Sequence, residues 1–312
     1  MARVPRYAVV DKKGGFFHVV NRIAAYIGDY PLQRPEVSGE FIRRFKVALS
    51  CFRIHCAELT VMGNHFHAVL FVEEFRLLSR RKLERLARAR WGKLWKLRTC
   101  YWSDGRWEKF NQEVFDLSSF MHDLQGPFTV WFNKMFDRRG TLWGHRFKCL
   151  ALAHNLRAVQ EEMIYVALNP VRAKLVDLPE QWRGGSAYLR SVGQADFLMP
   201  LEAIFINLAR EKVSSYYRHL TLYRGLTPRR ADQAEIPAEI VAAQIEQGFP
   251  PGLYLDRHRF MTDGLMLGSK DAVLRKLEEM TEVGIYRRKC NVAEHLNGLF
   301  HTVREQRSHC RW

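Results

Sequence analysis

The chain has 312 residues, enough for one large domain with an appendix or for two small ones. Apolar residues make up 47%, too many for intrinsic disorder, and no run of about 18 apolar residues is present to cross a membrane as a helix. Lys and Arg number 49 against 33 Asp and Glu, a net +16, and an excess that self-repels this strongly points to a polyanionic partner, nucleic acid ahead of an anionic membrane surface.

The basic segment Met1 to Gly15 has no apolar centre, so it is not a secretory signal. Phe16 to Asn21 (FFHVVN) follows Gly14-Gly15 and reads as a strand. Ser38-Gly39-Glu40 then precedes a helical period in Phe41, Phe45, Val47, Ala48 and Cys51, which predicts a helix to Phe52. His55 to Met62 and His65 to Val72 are two strand candidates around Gly63-Asn64, the pattern of a β-hairpin. Leu77 to Leu97 reads as one helix with a cationic face, and Phe115 to Met135 as a helix interrupted at Gly126-Pro127. A short strand is expected over Arg146 to Ala151, then an amphipathic helix from Leu156 to Leu168 that stops or bends at Asn169-Pro170. Beyond about Asp177 the pattern loosens, and the remainder reads as mostly helical and basic. The six cysteines form no CxxC pair, which fits a reduced, cytoplasmic chain with free thiols. This element order predicts an α+β fold, an antiparallel sheet covered by helices, with residues 1–190 as the main domain and 191–312 as a helical basic extension.

Two short patterns carry chemistry. In His65-Phe66-His67 strand alternation turns both imidazoles to one face, about 7 Å apart, where they can converge on one ion. An isolated pair of this kind is more often two strand histidines facing solvent or satisfied by backbone. In Glu161 to Val176 (EEMIYVALNPVRAKLV), Tyr165 and Asn169 stand four apart on one helix face, a phenol beside an amide carbonyl. The same segment also reads as a core aromatic followed by an Asn cap and a terminating proline.

Three segments in order, MGNHFH (62–67), GTLWGHRFK (140–148) and YVALNPVRAKLV (165–176), resemble the HUH single-tyrosine transposases, in particular the REP-associated tyrosine transposases. The resemblance covers roughly residues 14 to 190. It implies a ferredoxin-like sheet with Tyr165 as nucleophile and His65, His67 and Asn169 as ligands of Mg²⁺ or Mn²⁺. The implied reaction is cleavage and rejoining of single-stranded, hairpin-flanked DNA through a 5′-phosphotyrosine, by a monomer or homodimer. Two features depart from the pattern: the glycine often found after the arginine of the first strand motif is missing, and residues from Glu73 to Asn111 are longer than in compact relatives, where a DNA-contacting helix is expected.

Arg146, Lys148, Arg172 and Lys174 flank the expected site and are candidate DNA contacts, and Trp143 is a candidate platform for an unpaired base, with a core role for it and for Phe147 as the other reading. Further basic pairs lie at Arg229-Arg230 and Arg287-Arg288. The rival functions are a non-catalytic binder of structured nucleic acid on the same fold, and a zinc hydrolase, which would need more His or Asp ligands than the sequence offers.

Overall fold

The computed structural model describes residues 14–24, 30–152, 156–206, 208–226, 261, 265–282, 290–295, 298 and 300–305. Arg229-Arg230 and Arg287-Arg288 lie outside them. The fold is α+β, built on a seven-stranded sheet. Strand β1 (Gly14–Arg22) is followed by helix α1 (Pro35–Cys51) and the hairpin β2 (Ile54–Val61) and β3 (His65–Glu73). Then come α2 (Arg80–Trp91), α3 (Trp95–Thr99), α4 (Asp104–Glu113) and α5 (Leu117–Met135). Strand β4 (Lys148–Leu152) leads to α6 (Leu156–Ala167), the short α7 (Asn169–Arg172) and α8 (Ser186–Ser191). The C-terminal part adds α9 (Arg210–Leu226), β5 (Met266–Gly268), α10 (Lys270–Glu282), β6 (Cys290–His295) and β7 (Phe300–Glu305).

The strand order is β2-β3-β1-β4-β5-β7-β6, antiparallel at every pairing except β4 with β5. Strand alternation divides the sheet cleanly. Phe17 and Val19 of β1 and Phe66, Ala68, Leu70 and Val72 of β3 face α1 and α5, where Phe41, Phe45, Phe120 and Phe128 fill one core. Val69, Leu150 and Leu152 face the other way, onto Val159, Met163, Ile164 and Tyr165 of α6, with Tyr217 and Leu220 of α9 behind them. Helix α6 is therefore buried on nearly every side. A third, smaller cluster of Leu83, Ala87, Trp107 and Phe110 holds α2 and α4 together.

Several expectations need correction. Helix α1 begins a turn and a half before Phe41, at Pro35, whose fixed φ and missing N–H suit a first helical position. The helix read over Leu77 to Leu97 breaks at Gly92, whose φ of 55° ends α2. Gly126-Pro127 does not interrupt α5, which runs through with Phe120, Leu124, Phe128 and Phe132 buried on one side. Burial of that face outweighs the loss of one backbone donor at Pro127. After residue 190 helices remain prominent, but β5, β7 and β6 extend the main sheet, joining through the parallel β4–β5 pairing. Their short alternating runs carry too little periodicity to stand out from a polar helical background.

Candidate functional site

Strand β3 starts immediately after a tight turn, and that turn fixes where His65 stands. Met62 donates its N–H to the His65 carbonyl (2.7 Å), and Leu32 donates to the carbonyl of Gly63 (2.8 Å). The turn lies against Tyr30 so closely that a Cβ at Gly63 would fall 2.6 Å from the tyrosine ring. Only glycine fits there. From this start the strand turns Phe66 into the α1 core, 4.9 Å from the Phe41 ring, and leaves His65 and His67 on the opposite face with ring centroids 5.0 Å apart.

Helix α6 brings its own row to the same face. Glu162, Tyr165, Asn169 and Arg172 recur at intervals of three and four, so they form one stripe through α6 and α7. The Tyr165 ring stands 6.3 Å from that of His67. The guanidinium of Arg172 lies over the Tyr165 ring at 3.9 Å, a cation–π geometry, and also donates to Asn169 Oδ1. Asn169 Nδ2 donates to the carbonyls of Tyr165 (3.0 Å) and Val166 (3.3 Å). The amide thus caps the end of α6 while its oxygen faces the arginine.

The sequence reading gave no role to His18. It lies in the middle of β1, fully buried, and its Nε2 is 2.9 Å from His67 Nδ1. Its other nitrogen, Nδ1, is 2.8 Å from the Met261 carbonyl and 2.8 Å from Glu162 Oε1, aligned for hydrogen bonding with the carbonyl. A carbonyl can only accept, so Nδ1 of His18 carries a proton. In neutral His18 the Nε2 then accepts, His67 Nδ1 donates, and the lone pair of His67 is on Nε2. Burial foremost, then the neighbouring His65, His18, Arg172 and Arg22, hold the His67 pKa well below the usual imidazole value. His67 is therefore a neutral imidazole at physiological pH. The sequence hints at His18 through the first-strand motif that ends at Arg22 and through its place in β1, where it shares a face with Val20, the cross-strand neighbour of His67.

These groups meet at a pocket of about 610 Å³ whose wall includes His65, His67, Tyr165, Asn169 and Arg172. Arg22, His145, Arg146 and Lys148 add positive or protonatable groups to the same wall. Two donors there, Arg172 Nε and Nη1, are buried and have no acceptor among the described residues. Of the other residues singled out from sequence, Lys174 is exposed just past α7 with φ 56°, and is not on the pocket wall. Trp143 is not there either: its ring packs 5.8 Å from Phe66 and 6.3 Å from Phe41 on the α1 side of the sheet. Phe147 is buried in the same core. Among the described residues, no three His, Cys, Asp or Glu side chains are grouped to hold a metal, and no helix is long and apolar enough to cross a membrane. Cys51, Cys56 and Cys100 are free thiols.

The site is thus a phenol, an amide and an imidazole pair lining a cationic pocket. No protein-family model matches the chain, and no curated protein does. Among solved structures it is similar to one described as "Structure of the REP associates tyrosine transposase bound to a REP hairpin", with 15% identity and a TM-score of 0.40 over 62% of this chain and 87% of that one. A likeness at that level bears no weight on what this chain does.

Proposed function

We propose that the chain cleaves and transfers single-stranded DNA flanked by hairpins, with Tyr165 as the nucleophile. The observation that carries this reading is the pair of unpartnered buried donors of Arg172, Nε and Nη1, over the Tyr165 ring, in a pocket walled by Arg22, Arg146 and Lys148. A buried donor without an acceptor costs roughly 1–3 kcal/mol, and a phosphate oxygen is an acceptor that such donors suit. In the proposed step the Tyr165 oxygen bonds to phosphorus and the bond from phosphorus to the 3′-oxygen breaks. The phenol proton ends on the departing 3′-hydroxyl, and the 5′-phosphotyrosine keeps the bond energy for rejoining. Arg172 would both orient the ring and neutralise the phosphate.

His65 and His67 suit a divalent ion: His67 is neutral with Nε2 as its available lone pair, and both rings line the pocket. Asn169 would complete the set by exchanging its contact with Arg172 for the ion. When bound, Mg²⁺ or Mn²⁺ supplies Lewis-acid polarisation of a phosphate oxygen.

The Asn169–Arg172 contact favours a second reading, a non-catalytic binder of structured nucleic acid, because an amide already engaged at both ends has no need of a metal. Labelled single-stranded hairpin DNA, incubated with the protein and Mn²⁺ and run on a denaturing protein gel, separates the two. The transferase gives a shifted band that is lost in Tyr165→Phe, while that variant still binds the DNA. Absence of the band in the wild type leaves the binder.

A further inference from the structure

Half of the net charge of this chain sits in one short stretch. Residues 80–98 hold nine Lys or Arg and a single Glu, a net +8 out of +16. They form α2, the Gly92 break and α3. Helix α2 buries Leu83 and Ala87 and turns Arg81, Lys82, Arg85 and Arg88 outward, so its cations form one exposed face. Arg81, Lys82, Arg85, Lys93, Lys96 and Arg98 are all exposed, and none makes an ion pair among the described residues. Keeping so many like charges on one face costs repulsion that, among the described residues, only the Arg80 pairs with Glu84 and Asp104 offset.

The stretch is firmly held. Arg90 pairs with Asp123 of α5 and with Glu113 of α4 (3.3 Å), and Asn111 bonds the backbone of Arg76 and Leu78 (3.0 Å each). Trp91, Trp102, Trp107 and Phe110 stack among themselves, with ring centroids 4.8–6.0 Å apart. It is also remote from the pocket. His65 opens β3 and Glu73 closes it, and the stretch is anchored past the closing end, roughly 26 Å away at the rise of a strand.

We infer that the exposed face of α2 and the turn after it is a second nucleic-acid surface, which grips the phosphates of duplex DNA independently of the tyrosine pocket. The choice of polyanion follows the nucleic-acid reading of the pocket; the surface itself needs no tyrosine chemistry. Charge complementarity selects the occupant. Binding to single strands uses exposed aromatic platforms, and here the tryptophans are turned inward, so phosphates rather than unstacked bases are what the face offers to hold. A lipid-binding helix sets apolar residues along the border of its basic face. The exposed Leu94, Leu97 and Tyr101 instead follow α2 in sequence and do not border its row of Arg81, Lys82, Arg85 and Arg88.

The test is binding of a blunt, fully paired DNA duplex, followed by fluorescence anisotropy over a range of salt. One variant carries Arg81→Gln, Lys82→Gln, Arg85→Gln and Lys93→Gln. A control removes the same charge elsewhere, through Lys134→Gln, Arg139→Gln, Arg183→Gln and Lys212→Gln, all exposed. The first variant is expected to lose at least about tenfold in affinity, and its salt slope to fall by about 0.9 for each phosphate contact removed. The control is expected to stay within about twofold. Equal loss in both variants, or no loss in the first, overturns the inference; so does loss of binding to phosphatidylserine vesicles with duplex binding intact. Tyr165→Phe is expected to bind the duplex as the wild type does, so this surface can fail while covalent attachment in the pocket stands, and the reverse.

Discussion

The proton arrangement of His67 rests on one residue behind it. His18→Phe removes the hydrogen bond to His67 Nδ1 but keeps a ring in β1. In the wild-type protein, ¹⁵N spectra of the imidazoles are expected to show His67 protonated at Nδ1 and bare at Nε2; in the variant the two tautomers should mix. A wild-type His67 protonated at Nε2 would refute the assignment. Glu58 offers a second test. It is fully buried beside the bulge in β2, accepts from the Tyr217 hydroxyl (2.9 Å), and its pKa is pushed up to about 7, mainly by burial, with Arg190, Tyr217 and Ser186 acting in the opposite direction. The folded protein thus prefers the protonated acid. Its contribution to stability is complete below the unfolded carboxyl range near 4.5 and is lost as pH rises through about 7. The loss is on the order of 3 kcal/mol. Glu58→Gln should flatten melting temperature against pH in that window. Sequence reading found His65, His67, Tyr165 and Asn169 because spacing alone gives them a shared face. It gave His18, Arg22 and Asn21 no role, since what gives them meaning is cross-strand register, which depends on pairing partners far along the chain.

At the scale of elements, the β2–β3 hairpin and α6 were legible because their alternation and helical period are uninterrupted. Breaks inside helices were harder to read. A glycine in a helical pattern ends the helix at Gly92, which takes a φ of 55°, yet is carried through at Gly39 and Gly126, inside helices that bury Phe41 and Phe45 or Phe120 and Phe128 on one face. Neither Gly39 nor Gly126 has any atom within 4 Å of where a Cβ would sit. Alanine at either position is therefore expected to stabilise by about 0.5–1 kcal/mol, seen as a higher denaturant midpoint with unchanged slope. The converse holds in the core: Phe41→Ala, which empties a fully buried site among Phe45, Phe66 and Phe128, should cost about 3–5 kcal/mol. A fall much below that range would mean that α1 is not packed on the sheet as described.

For the whole molecule, the sheet is the object that sequence patterns resolved least. The antiparallel half was read correctly from local strands. Its continuation through β5, β7 and β6 depends on pairing β4 with residues more than a hundred positions later, which no local pattern encodes. A chain ending at residue 206 would leave Leu150, Leu152 and Ile164 without Tyr217, Met261 and Phe300. It should melt at a lower temperature and bind a hydrophobic dye that the full chain excludes; equal melting temperatures would show the remainder to be dispensable. The Met261 carbonyl beside His18 adds a temporal consequence. During synthesis the phenol and both β3 imidazoles leave the ribosome long before the residue that sets the proton pattern behind them. A chain cut before residue 261 therefore holds the phenol and both β3 imidazoles without the acceptor that fixes the proton on His18, and its His67 is free to exchange tautomers.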